Sequence, residues 1–178
     1  MRKMLGTVLL GLLGVSSLFA QFNTTGNTSL SVSVASEAAI RVDTATTNLT
    51  TAGTFFTDYT GTTNFTYKIR TTKVGGSGSV TLKITSDFSP VGGPSVAAPP
   101  DPTDTLAYAC TVSAPGSACA GSQTSSTTAD TSVAAFGANA RSTKAGTGGN
   151  SVAWTLTNDP QYETGSFSAT ATFTISAT

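Results

Sequence analysis

Along residues 166–178 the side chains Phe167, Ala169, Ala171, Phe173, Ile175 and Ala177 fall on one parity, and Ser or Thr holds every position of the other. A repeat of two sends successive side chains to opposite faces of an extended chain, so this stretch predicts a long β-strand with one buried face. The same repeat sets Leu30, Val32 and Val34 on one side of residues 29–35, and Phe65, Tyr67 and Ile69 on one side of residues 64–72. It sets Val80, Leu82 and Ile84 on one side of residues 79–86, and Val152, Trp154 and Leu156 on one side of residues 151–157. Further strands are expected over residues 38–42, 105–113 and 131–136. Gly75-Gly76-Ser77-Gly78 predicts a hairpin between residues 64–72 and 79–86. Residues 90–104, rich in Pro, Gly and Ala, predict a long surface loop. No helical period appears beyond the first twenty residues.

About seven or eight turn-separated strands predict an all-β chain, an antiparallel β-sandwich of immunoglobulin-like or pilin-like type. Composition sharpens this. Charged residues are 10% of the chain, well under the usual quarter, and hydroxyl residues supply the polarity. Threonine suits a strand surface because its branched Cβ tolerates the pleat. The lone Trp154 reads as a core anchor.

Arg2 and Lys3 precede an apolar run over residues 5–15, and Ser17-Leu18-Phe19-Ala20 offers a cleavage site. Residues 1–20 therefore read as a secretory signal peptide, which predicts a secreted protein, extracellular or at the cell surface. Residues 21–36 read as an N-terminal extension and residues 37–178 as the β-sandwich domain. No later stretch approaches the ~18 apolar residues of a membrane span, so no membrane insertion is expected after cleavage. Without Arg2 and Lys3, seven basic residues face nine acidic ones, a formal charge of −2. That is too weak to steer the chain onto nucleic acid. Cys110 and Cys119 enclose eight residues with Pro115-Gly116 at the centre, and in an exported chain they predict a disulfide.

The chain contains no histidine, which removes the usual general base and the commonest zinc ligand. Asp101 and Asp104 offer oxygens for a weak calcium site but read as solvated. Asp159 and Glu163 flank a turn. Lys68, Arg70, Lys73 and Lys83 are expected as a solvated basic stripe on the outer face of the hairpin. No enzymatic activity, metal or cofactor is expected. Four Asn-x-Ser/Thr sequons, at Asn23, Asn27, Asn48 and Asn64, follow from so much Ser and Thr.

An exported, histidine-free, Thr-rich β chain with one disulfide and alternating strands at both ends resembles bacterial pilin-like and spore-coat-U-like secreted subunits. In chaperone–usher and related families an N-terminal extension inserts as a strand into the incomplete sandwich of the next subunit. The resemblance implies that residues 28–35 are the donor, with Leu30, Val32 and Val34 filling pockets. It implies that Phe167, Ala169, Ala171, Phe173 and Ile175 border the acceptor groove. It further implies homo-oligomeric filament neighbours and a periplasmic chaperone or outer-membrane secretion partner. The mid-chain disulfide departs from the family, where many members staple near the first strand. Trp154-Thr155-Leu156-Thr157-Asn158-Asp159-Pro160 is similar to the distal motif of WxL cell-wall-binding domains, but no second tryptophan supplies their proximal motif. The expected function is a structural subunit of an extracellular filament, pilus or surface layer that assembles by strand donation. The alternative is a monomeric secreted adhesin or carbohydrate-binding module using the 90–104 loop or Phe55, Phe56 and Tyr59.

Overall fold

The computed structural model describes residues 24–178; the signal peptide expected over residues 1–20 lies outside the described residues. In chain order the strands are β1 (Glu37–Val42), β2 (Thr50–Thr51), β3 (Tyr59–Arg70), β4 (Gly78–Ser89) and β5 (Leu106–Thr111). They continue as β6 (Ser117–Ala118), β7 (Gln123–Thr124), β8 (Thr131–Phe136), β9 (Thr147–Leu156) and β10 (Ser168–Ala177). They form two antiparallel sheets. One has the order β1-β3-β9-β5-β7, with β2 also on β3; the other has the order β10-β4-β8-β6. The chain is an all-β sandwich. Residues 24–36 take part in no strand, and Leu30, Val32 and Val34 are exposed.

The alternating rows meet between the sheets. Phe65, Tyr67 and Ile69 of β3 and Val152, Trp154 and Leu156 of β9 are buried from one side, and Val80, Leu82 and Ile84 of β4 from the other. Aromatic rings lock the layers: Tyr67 meets Phe136 edge-on with centroids 4.9 Å apart, and Phe65 lies 5.8 Å from Phe173. Buried polar atoms would each cost stability if left alone. Among the described residues every such side-chain atom has a partner. The Tyr108 hydroxyl donates across the sandwich to the Ser132 carbonyl at 2.9 Å. The buried Asn150 accepts from the Ser113 N–H at 2.9 Å and donates to the Phe65 carbonyl at 3.0 Å.

The hairpin expected between residues 64–72 and 79–86 does not form. β3 pairs with β1 and β9, whereas β4 pairs with β10 and β8. Residues 71–77 instead carry the chain from one sheet to the other. Alternation fixes which face of a strand is buried, not which strand supplies its hydrogen bonds, and seven residues easily cross the ~10 Å between packed sheets. The apolar rows of β3 and β4 thus face one another. Lys68 and Arg70 lie outside one sheet and Lys83 outside the other, so the expected basic stripe is split.

Cys110 and Cys119 are disulfide-bonded, with Cα atoms 5.6 Å apart. Cys110 lies in β5 of one sheet and Cys119 follows β6 of the other. The staple therefore ties the two layers together. Tyr67 braces the turn between them, donating to the Ser113 carbonyl at 2.7 Å and accepting from the Gly116 N–H at 3.1 Å.

Candidate functional site

Two strand edges, β1 and β10, border the same side of the sandwich and are free among the described residues: there β1 pairs only with β3, and β10 only with β4. They differ in length, six residues against ten. β1 stops because the chain wraps around Asn64. The N–H groups of Asp43 and Thr44 both donate to the Asn64 carbonyl, at 2.8 and 3.3 Å. The Thr44 hydroxyl accepts from the Asn64 N–H at 3.0 Å, and Asp43 accepts from the Thr66 hydroxyl at 2.6 Å. Such side-chain bonds compete with the ladder and turn a strand off. Residues 43–49 then run without strand structure to β2.

Between these residues and the first half of β10 lies a groove of about 1000 Å³. Its floor is the core itself: Ile84, Leu106, Trp154 and Leu156. Phe167, Ala169, Ala171 and Phe173 form one wall, and Val42, Leu49 and Tyr59 line the other. The consequence shows in burial. Ile84 and Leu82 on β4 are sealed, whereas the apolar row of β10 is only half-buried along its whole length. The core is open along this seam.

The groove is held in shape by its surroundings. The Trp154 indole N–H donates to the Thr63 hydroxyl at 2.8 Å, and Thr63 is bonded in turn to Thr47 at 2.6 Å, joining floor to wall. On the outer face of β10, Thr172 is bonded to Thr85 at 2.8 Å and Ser176 to Ser79 at 3.0 Å. The expected surface loop over residues 90–104 is anchored by Asp87. Its carboxylate accepts from the Ser95 hydroxyl at 2.7 Å and the Val96 and Ala97 N–H groups at 2.8 and 3.0 Å. Burial alone would raise the Asp87 pKa; these bonds outweigh it and hold the carboxyl below its ordinary value. Gly93 of this loop sits so close to Phe167 that a Cβ would come within 2.5 Å of the ring.

The acidic residues regroup. The structure places Asp104 beside Asp159 and Tyr162, because Leu106 and Leu156 are register partners. Burial, with the Asp159 charge added, pushes the Asp104 carboxyl up, and burial beside Asp104 pushes the Tyr162 phenol up. Among the described residues no three His, Cys, Asp or Glu side chains are placed to hold a metal ion.

Of the residues singled out by sequence, Phe167, Ala169, Ala171 and Phe173 line the groove, while Ile175 packs on the core farther along β10. Leu30, Val32 and Val34 are 93%, 86% and 62% exposed. The pattern of the sequence missed Leu49 and Phe88, both of which line the groove. Leu49 is the single large aliphatic in a Thr-rich stretch, and that isolation was its signal. Comparison with known proteins finds no significant match to a family model, to a curated protein or to a solved structure.

Proposed function

We propose that this chain is a structural subunit of an extracellular filament or surface layer, joined to its neighbour by β-strand donation through residues 28–35. One observation carries the reading: an open apolar seam beside an unpaired strand edge, in a chain that also exposes an alternating apolar row on a segment in no strand. A strand laid along the free edge of β10 finds unpaired backbone groups and sends every second side chain into the groove. Leu30, Val32 and Val34 have that spacing. Burying each contributes about 1.5–3 kcal/mol, set against an association cost of about 4–15 kcal/mol. The side chains alone roughly break even, so the backbone ladder and the contact between subunit bodies decide affinity. The disulfide fits the oxidising compartment that export requires.

The test deletes residues 21–36 and examines the secreted protein by electron microscopy and unheated gel. The truncated chain is expected as a folded monomer. A peptide of residues 24–36 added to it should shift the emission of Trp154, the sole tryptophan and part of the groove floor. Undiminished assembly of the truncated chain, or unchanged emission with peptide, would overturn the reading.

A second reading, a secreted carbohydrate-binding module, is favoured by Phe55 and Phe56. They are 91% and 61% exposed and held at φ 54° and 50°, a left-handed conformation costly for bulky side chains. In that case Phe55→Ala abolishes glycan binding and leaves the emission response to the peptide intact.

A further inference from the structure

Charge is sorted by the ends of the sandwich. Tyr59 of β3 lies opposite Leu156 of β9, which lies opposite Leu106 of β5, so the turns beside these residues share one end. They carry Asp58, Asp101, Asp104, Asp159 and Glu163. The Glu163 N–H donates to the Gly92 carbonyl at 2.8 Å, which brings in the loop anchored by Asp87. Among the described residues no Lys or Arg lies at this end.

At the far end Arg70 of β3 lies opposite Glu37 of β1 and forms an isolated bridge with Arg141. A surface hollow of about 330 Å³ there is lined by Lys68, Arg70, Arg141 and Lys144, with Glu37 as its one acid. Glu37 is paired to Arg70 at 3.1 Å. Lys73 lies in the adjoining connection. Between the ends Arg41 and Asp43 neutralise each other at 2.6 Å, and one further base and acid, Lys83 of β4 and Asp130 just before β8, lie near the Leu82–Thr131 pairing. Among the described residues one end thus carries six acids and no base, the other five bases and one acid.

We infer that subunits stack head to tail, with the basic end of one copy docked on the acidic end of the next. This rests on the strand-donation reading for what locks the joint, and it adds the direction. β1 begins at the basic end, so the extension preceding it is tethered there. The rim of the groove includes Asp159 and Glu163 of the acidic end. Charge pairing brings the donor of one copy to the groove of the next. Lys68, Lys73, Arg141 and Lys144 at one end and Asp58 and Glu163 at the other are exposed, while Asp104 is buried. Between the exposed charges the attraction acts over about a Debye length, ~8 Å at physiological salt, and chiefly accelerates encounter.

The experiment follows filament growth from the purified full-length chain by light scattering, in 20 mM and 500 mM NaCl. Two double variants are compared, Arg141→Glu with Lys144→Glu, and Asp58→Lys with Glu163→Lys; thermal unfolding confirms that each is folded. They shift net charge in opposite directions, so a loss common to both belongs to the ends rather than to overall charge. Wild-type growth is expected to slow about tenfold at high salt, and each variant about tenfold at low salt. Lys83→Glu, midway along β4, is expected to grow within about twofold of wild type, because a charge away from both ends leaves the docking faces unchanged. Salt-independent growth, or either double variant growing at the wild-type rate, would overturn the stacking. If only the basic-end variant slows, and inorganic polyphosphate binds wild type but not that variant, the hollow takes an anionic polymer and stacking is likewise overturned. The peptide assay separates the two ideas. A Trp154 response with charge-blind growth keeps strand donation and removes stacking; salt-dependent association without a Trp154 response does the reverse.

Discussion

Leu30→Ala separates folding from assembly. In the free chain Leu30 is almost fully exposed, so its truncation should change stability by less than about 0.5 kcal/mol. In the joint it would enter a groove floored by Ile84, Leu106, Trp154 and Leu156. Leucine exceeds alanine by three carbons, and at about 0.8 kcal/mol per buried carbon group the loss is roughly 2.5 kcal/mol, or about 50-fold in affinity. The assay titrates the 24–36 peptide, with and without the substitution, into the truncated subunit and follows Trp154 emission. Thermal unfolding of the full chain runs in parallel. Parity supplies the control: Ser31→Ala and Ser33→Ala lie on the other face of the donor and should alter affinity less than about twofold, as solvent-facing changes do. Equal weakening by leucine and serine substitutions would refute the donated-strand geometry, because it would remove the alternation on which the reading stands. So would a monomer destabilised by Leu30→Ala.

Asp87→Asn should destabilise the fold by about 1 kcal/mol at neutral pH, since it replaces a carboxylate that accepts several hydrogen bonds. Because the Asp87 pKa is lowered from 3.8, its contribution is present above that value and is lost as pH falls through the native one; the melting temperature should decline more gently in acid for Asp87→Asn than for wild type. Replacing Cys110 and Cys119 together by serine should cost about 2–3 kcal/mol by the loop-entropy model, read as a lower urea midpoint; an unchanged midpoint would mean that the tie between the sheets is redundant. Trp154→Phe removes the 2.8 Å bond to Thr63 but leaves Thr63 partnered by Thr47. The expected loss from that bond is about 1 kcal/mol, measured by chemical denaturation, and a loss several times larger would show that Trp154 does more than anchor.

Much of the fold was legible because burial leaves a periodic trace. Every apolar residue read as inward on residues 64–70, 80–84 and 152–156 is buried. The hydrogen-bond partners of those strands left no such trace. A glycine-rich connection of seven residues serves a hairpin and a crossing between sheets equally well, and only the packing of Phe65, Tyr67 and Ile69 against the opposite layer decides. The anchor of the 90–104 loop was invisible for a similar reason. Asp87 takes its hydrogen bonds from residues eight to ten positions away, a spacing that matches no local turn motif.

The candidate site was legible in its parts and not in its cause. The row along residues 166–178 announces one buried face, yet perfect alternation is equally compatible with a closed sandwich and an open one. What opens this one lies elsewhere, at Asp43 and Thr44, whose bonds to Asn64 and Thr66 end β1 while β10 continues. The charges follow the same logic. Strand interiors exclude them on one face and threonine occupies most of the other, so most of them lie in the turns or toward strand ends. A net charge of 0, or −2 without Arg2 and Lys3, argues against steering only if those charges are mixed. The register of β3 against β1 and β9 shows that they are not: it gathers the aspartate-bearing turns at one end, and Lys68 and Arg70 of β3 with the connections bearing Lys73, Arg141 and Lys144 at the other. A chain can therefore be nearly neutral as a sequence and strongly polarised along its strands, and the proposed head-to-tail stacking rests on that distribution.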